Sequence, residues 1–147
     1  MKSDPHVSDR QTTHATDVAL LISQLRTKSE QFALRLRELT RIESDFADDT
    51  LQSLGPHGDS WERARVRCRE LYDQYDAIRW VFHEAISLGQ RYLDDLAHER
   101  NTTAYTEQLV VYCTEVRSVQ VEYVNELTEI IDDLRNIRDT IRRHNPQ

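Results

Sequence analysis

Asp95 and His98 are an acid and a histidine one helical turn apart, a spacing that could bind a metal ion. They are two of the 147 residues of this chain. Helical bundles that hold two iron atoms use a Glu-x-x-His motif on each of two helices, together with further inward-facing carboxylates. Here Asp95-x-x-His98 occurs once, and its heptad position turns His98 away from a bundle core. We therefore predict no metal site and no cofactor, and we interpret the pair as part of a solvated helix face.

A second histidine, His83, directly follows an apolar position and is expected to face outward. An exposed histidine on a helical bundle is similar to the phosphorylated residue of histidine phosphotransfer domains, where a lysine and small residues follow it. In this chain Glu84 follows His83 and the lysine is missing, so negative charge would lie beside the phosphate. We favour an ordinary surface histidine, and phosphotransfer stays an alternative.

Eight arginines form two groups that a helical hairpin would bring to one end of a bundle. They are Arg63, Arg65, Arg67, Arg69, Arg135, Arg138, Arg142 and Arg143. Helical mutases of the chorismate mutase type bind anions through arginines, but they need an interior pocket, and the predicted core here is filled with Leu, Phe and Tyr. The acidic residues Glu43, Asp45, Asp48 and Asp49 should reach the same end, so we favour ion pairing over an anion site.

Other signatures of catalysis are missing from the sequence. It contains no glycine-rich phosphate loop, no nucleophile elbow and no paired catalytic carboxylates. We therefore predict a protein that is not an enzyme and that takes no small-molecule substrate.

The overall composition excludes several classes of partner. The formal net charge of −7 disfavours nucleic acid, and no apolar run is long enough for a membrane span. The first residues lack the apolar stretch of a secretory signal, so we expect a cytoplasmic protein. Two cysteines, Cys68 and Cys113, are too few for a disulfide framework and are expected to be reduced thiols.

Apolar residues recur at alternating steps of three and four along three stretches, which is typical of helices that pack against other helices. The central row is unbroken: Trp61, Ala64, Cys68, Leu71, Tyr75, Ile78, Phe82, Ala85, Gly89, Tyr92 and Leu96. The first row is Val18, Ile22, Leu25, Ser29, Phe32, Leu36, Leu39, Ile42 and Phe46. The third row is Tyr105, Leu109, Tyr112, Val116, Val119, Tyr123, Leu127, Ile130, Leu134, Ile137 and Ile141, with a stutter between Tyr123 and Leu127.

These rows predict helices over about 14–54, 60–99 and 103–143, after a flexible polar tail at 1–13. Gly55 and Pro56 should end the first helix, and Asp59 with Glu62 has the spacing of a capping box for the second. The apolar row of the second helix, if extended past Asn101, does not coincide with the apolar row of the third helix. This mismatch indicates a break between the two helices.

The predicted fold is an all-α, antiparallel up-down-up three-helix bundle that forms a single domain over 14–144. A reversal at His57 would place Leu39 against Tyr75 and Phe32 against Phe82. A second reversal near residue 102 would place Gly89 opposite Tyr112, whose ring would explain the glycine. The same alignment separates the two cysteines by about 33 Å at 1.5 Å per residue, which excludes a disulfide between them.

The third helix carries more apolar residues than one row needs. A second face lies about 100–120° round that helix and consists of Val110, Cys113, Arg117, Val121, Val124, Thr128 and Ile131. Part of this face should flank a neighbouring helix, and we predict that its outer members bind a partner. A wide internal stripe is the alternative interpretation.

In helix number, length and pattern the chain resembles spectrin-type repeats, the three-helix regulatory domain of syntaxins, and small acidic secretion chaperones. The resemblance implies an interaction protein, and no family motif accompanies it. We predict a helical adaptor or assembly subunit that binds a protein partner through a helix face or forms a homo-oligomer. The alternatives are a small acidic chaperone for a partner's amphipathic helix, and a phosphotransfer or anion-binding bundle.

Overall fold

A computed structural model describes the backbone of residues 5–46 and 48–144 and the side chains of residues 14–46 and 50–144. The described residues are all-α and form four helices: α1 (Pro5–Glu43), α2 (Asp48–Gln52), α3 (Pro56–Ala97) and α4 (Thr106–His144). The three long helices α1, α3 and α4 pack against one another in pairs. The predicted all-α bundle is therefore confirmed.

Contacts divide the chain into two compact units. Unit 1 combines Met1–Ser29 with Ile78–Val121, and unit 2 combines Glu30–Ala77 with Glu122–Gln147. Each unit therefore contains one segment of α1, one of α3 and one of α4. The single domain over residues 14–144 stays a prediction.

In unit 1, α3 runs antiparallel to α4. Ala85 of α3 accepts a weak hydrogen bond from the Cys113 thiol at 3.8 Å, and Asp95 bonds to Tyr105. Later residues of α3 thus meet earlier residues of α4, which is the reversal predicted near residue 102. Gly89 of α3 packs against α1.

In unit 2, α3 runs antiparallel to both of its neighbours. The ring of Phe32 in α1 stacks on that of Tyr75 in α3 at 3.6 Å between centroids. Tyr75 also meets the ring of Tyr123 in α4, edge to face, at 5.7 Å. At the far end of unit 2, the rings of His57 and His144 are 5.5 Å apart. The up-down-up order of helices therefore holds within this unit.

The register between α1 and α3 differs from the prediction by one heptad, because Phe32 lies opposite Tyr75 where Phe82 was expected. The first helix ends at Glu43, well before residue 54. The residues up to Gly55, with the short α2, then form a longer connection than a turn at His57. A shift of seven residues keeps each apolar row facing the other, since a heptad repeat matches itself after that step.

Two helix starts also differ from the prediction, and proline begins both helices. α1 starts at Pro5 and α3 at Pro56, so the tail predicted for 1–13 is helical from residue 5, and residues 1–4 lie outside the described part. Proline suits the first turn because its fixed φ is helical and its missing N–H would have no partner there. Asp59 consequently lies inside α3 and is not its cap. Gly55 has a φ of +61°, which lets the chain reverse directly before Pro56.

The break between α3 and α4 is confirmed, and its mechanism is a Schellman cap. The N–H of Arg100 donates to the Asp95 carbonyl at 2.7 Å and that of Glu99 to the Leu96 carbonyl at 3.1 Å. Glu99 adopts a φ of 56° at the position that usually carries glycine. The connection ends where Thr102 accepts two hydrogen bonds from Thr106, one from its N–H and one from its hydroxyl.

The central row of α3 is confirmed as a core row. Nine of its members are buried, and Ile78 and Leu96 are half-buried. Gly89 is needed in this row because of α1, not because of Tyr112 as predicted. A Cβ atom at Gly89 would lie 2.7 Å from Cδ1 and 2.8 Å from Cγ1 of Ile22, and 3.4 Å from Cγ1 of Val18.

Candidate functional site

The face of α4 that we predicted to bind a partner is largely part of the core. Cys113, Val124 and Ile131 are 0%, 5% and 1% exposed, and the other four members, Val110, Arg117, Val121 and Thr128, are half-buried. In unit 1 the Arg117 guanidinium also donates to the Gln24 side chain of α1 at 2.7 Å. Three of the seven residues are therefore core residues, which favours the wide internal stripe, and the binding of a partner by this face stays a prediction.

The reason is the register of α4, whose first half differs by one residue from the predicted row. Its buried positions are Thr106, Leu109, Cys113, Val116, Gln120, Leu127, Ile130, Leu134 and Ile141, with Val124 and Ile131 beside them. Through Thr106, Cys113 and Gln120 this row continues the heptad without the predicted stutter. The sequence pattern pointed to Val119, which is 41% exposed, because it is more apolar than the neighbouring Gln120.

Gln120 is tolerated in the core because it has a polar partner. Its side-chain nitrogen donates to the Ser29 hydroxyl of α1 at 2.8 Å, and Gln120 itself is fully buried. Ser29 was the polar member of the first row. This bond satisfies the amide nitrogen and ties Gln120 of α4 to a specific position on α1 in unit 1.

The one-residue shift moves Tyr105 and Tyr112, two of the three tyrosines in the predicted row of α4, to the edge of unit 1, where they line an open groove against α3. The groove has a volume of about 430 Å³. We call it the tyrosine groove, and its lining residues are Leu88, Arg91, Asp95, Tyr105, Gln108, Leu109 and Tyr112. Its floor is mainly apolar, and most of its polar groups lie along the two rims.

A hydrogen-bonded cluster closes one end of the tyrosine groove. The Tyr105 hydroxyl donates to Asp95 Oδ2 at 2.7 Å, and Arg100 donates to Oδ1 of the same carboxylate at 2.9 Å. These two bonds hold the pKa of Asp95 below its ordinary value of 3.8, first through Tyr105 and then through Arg100. The same bond to Asp95 raises the pKa of Tyr105 to about 12. Asp95 thus stays ionised and positions the Tyr105 ring.

The other tyrosine, Tyr112, lies near the middle of the groove and is half-buried. Burial raises its pKa, and the negative charge of Glu84 on α3 adds to the effect. Tyr112 is therefore neutral at physiological pH and presents both an aromatic ring and a hydroxyl group. Side chains of this kind suit an interface that is apolar in one part and wet in another.

Exposed apolar residues extend the groove along α4. Val119 is 41% exposed and lies one heptad after Tyr112, and Val111, directly before Tyr112, is 56% exposed. Trp80 on α3 is 64% exposed, at the position of that helix farthest from its core row. Single exposed apolar side chains are common. Of these three, Val119 shares the α4 face of Tyr112 and adds apolar area along the groove.

The histidines singled out in the sequence are not brought into any site. His83 is exposed, as expected. His98 directly follows α3 and contacts its last turn, with Nδ1 2.9 Å from the Asp94 carbonyl, and Asp95 is held by Tyr105 and Arg100. Among the described residues, no group of three or more His, Cys, Asp or Glu side chains is arranged to hold a metal ion.

Five of the eight arginines, all in unit 2, pair with acids, as expected from the interpretation that we favoured over an anion site. Arg138 and Arg142 both reach Asp45, at 3.2 Å and 3.4 Å, and Arg65 lies 3.7 Å from Glu43. Three further pairs join Arg135 to Glu38, Arg67 to Asp133 and Arg65 to Glu62. The side chains of Asp48 and Asp49 lie outside the described residues.

Both cysteines are free and buried, and burial raises the pKa of each thiol, that of Cys68 to about 12. The expectation that they form no disulfide with each other is confirmed. Their high pKa values leave almost no thiolate at neutral pH, so neither group is activated as a nucleophile.

Comparison of the chain with protein-family models, with curated proteins and with solved structures gave no match. In the described part of the chain, none of the helices combines the length and the apolar character needed to cross a membrane. The tyrosine groove is therefore the feature from which a function is argued.

Proposed function

We propose that this protein is a non-enzymatic helical interaction module, an adaptor or assembly subunit, that binds a protein partner in the tyrosine groove. The observation that carries the proposal is the groove itself. Two half-buried tyrosines, Tyr105 and Tyr112, stand above an apolar floor that includes Leu88 and Leu109. A groove between two helices is a common receptor for the apolar face of a third helix.

The composition of the groove favours a protein partner over a small reactant. Tyrosine is enriched at protein interfaces, and its ring gives a large contact area while its hydroxyl stays solvated. The ionised Asp95 already accepts bonds from Tyr105 and Arg100, so it supports the groove wall. We further infer a cytoplasmic location, which the two free thiols favour because reducing compartments keep cysteines unpaired.

Site-specific photo-cross-linking tests the proposal. A benzophenone amino acid is placed at Tyr112 and, as a matched control, at Leu34, an apolar side chain of α1 that is 59% exposed. In cells that express the protein, the probe at position 112 should give a discrete protein adduct that the probe at position 34 does not give. The absence of an adduct at position 112, or equal adducts at both positions, would overturn the proposed function.

A further inference from the structure

We propose that a second copy of this chain covers the tyrosine groove, with its own groove facing this one, so that the two copies form a symmetric dimer; this choice of partner rests on the function proposed above. Such an interface uses the same surface on both copies, so each group must meet its complement when one copy is rotated onto the other. The rims of the tyrosine groove have this property.

The rim on α3 carries two opposite charges, Glu84 and Arg91. They are seven residues apart, so they lie on the same side of the helix, separated by about 10.5 Å. Both side chains are exposed. Among the described residues neither makes an ion pair within 4.0 Å, whereas Asp95, farther along the groove, is paired with Arg100.

Consider a two-fold axis that is perpendicular to α3, lies between the two copies and passes midway between Glu84 and Arg91. Rotation about this axis makes the charges of one copy complementary to those of the other. It lays α3 of one copy antiparallel to α3 of the other. Glu84 then meets Arg91 of the second copy, and Arg91 meets Glu84 of the second copy. Each dimer thus gains two ion pairs, in addition to the longer-range attraction between Arg91 and Asp95 of the same helix.

The rim on α4 matches under the same axis. It carries Gln108 and Glu115, which are also seven residues apart and exposed. The contact between Asp95 and Tyr105 shows which residues of α3 and α4 lie side by side along the helix axes in unit 1. In this alignment, the midpoint between Gln108 and Glu115 lies beside the midpoint between Glu84 and Arg91, within about one residue. The rotation therefore places the Gln108 amide, a hydrogen-bond donor, against Glu115 of the second copy.

Apolar residues lie where the axis passes. Leu88 and Tyr112 line the middle of the groove, so Tyr112 of one copy would lie beside Tyr112 of the other. An apolar centre inside a polar and charged rim is the usual anatomy of a specific protein interface.

The test of the dimer is to swap the charges at Glu84 and Arg91 and to measure the dimer Kd by sedimentation equilibrium over a range of concentrations. The samples are the wild type, Glu84→Arg, Arg91→Glu and the variant that carries both changes. Each single change places like charges opposite each other twice, and we expect it to raise the dimer Kd by about tenfold or more. The double variant restores opposite charges and should return to within about threefold of the wild type. An equimolar mixture of the two single variants should associate more tightly than either one alone.

Circular dichroism checks that each variant keeps its helices, and both changed residues are exposed on the surface. A wild type that stays monomeric, single variants that dimerise like the wild type, or a double variant without recovery would each overturn the dimer. If the wild type is monomeric and the probe at position 112 still captures another protein, the dimer fails while the proposed function stands. If that probe captures nothing, both fail.

Discussion

The side-chain nitrogen of Gln120 donates a hydrogen bond to the hydroxyl of Ser29 at 2.8 Å, and Gln120 is fully buried in unit 1. Gln120, and not the more apolar Val119, therefore lies in the core of this unit. With α4 in this orientation, Tyr105 and Tyr112 line a groove at the edge of the unit.

The Ser29–Gln120 contact predicts a pair of mutants whose effects do not add. Ser29→Ala removes the acceptor of a buried amide and should cost about 1–3 kcal/mol of unfolding free energy. Adding Gln120→Met replaces the amide by an apolar group of similar size and should recover most of that loss. Urea denaturation measures both values. A double mutant that is less stable than Ser29→Ala alone would contradict this account.

Gly89 predicts a mutation whose sign depends on its neighbour. Gly89→Ala gains about 1 kcal/mol of helix propensity, but its Cβ would lie 2.7–2.8 Å from Ile22. Overpacking of this kind costs about 1–3 kcal/mol, so we expect a net loss of stability in the wild type. In an Ile22→Ala background the methyl group has room, and the same change should stabilise the protein. Thermal or urea unfolding of the four proteins checks the sign, and an equal effect in both backgrounds would refute the packing argument.

Glu99 predicts a stabilising substitution. It adopts a φ of 56° in the Schellman cap of α3, a conformation that costs roughly 1–2 kcal/mol for residues other than glycine. Glu99→Gly should therefore raise the unfolding free energy by about 1 kcal/mol. Glu70→Gly is the control, since Glu70 is exposed in the middle of α3 and the same change there should destabilise by about 1 kcal/mol. A gain of unfolding free energy at position 99 together with a loss at position 70 would identify the cap as the cause. A loss at both positions would contradict it.

The bond between Asp95 and Tyr105 predicts how stability depends on pH. The folded-state pKa of Asp95 is lowered from 3.8, so its contribution is present above that value and is lost as the pH falls through the lowered pKa. The pKa of Tyr105 is raised from 10.0 to about 12, so its contribution is present below 10 and is lost as the pH rises through about 12.

Tyr105→Phe should consequently raise the pKa of Asp95, because it removes the bond that contributes most to the lowering. Titration of the Asp95 carboxyl carbon by NMR measures the change. Tyr72→Phe is a suitable control, since Tyr72 is 40% exposed on α3 of unit 2. An Asp95 pKa that is the same in wild type and Tyr105→Phe would show that the bond does not persist in solution.

The sequence alone determined the helical class of the protein and the core face of α3. The central row from Trp61 to Leu96 is apolar at nearly every step, so any partner helix must cover it. The absence of an intramolecular disulfide also followed from the chain, because an antiparallel hairpin separates Cys68 from Cys113 along the helix axis. The ion pairs of Asp45 and Glu43 with arginines were predicted for the same reason.

The tertiary structure decided the register of the helices, and with it the candidate site. A row defined by apolar residues chose Val119 over Gln120, since nothing in the sequence shows that Ser29 will satisfy a buried amide. The connection between Glu43 and Pro56 likewise moved α1 by one heptad, which an exact repeat cannot reveal because it matches itself after seven residues. Three residues of the α4 face that was expected to bind a partner are consequently buried, and Tyr105 and Tyr112, which were expected in the core, line the groove.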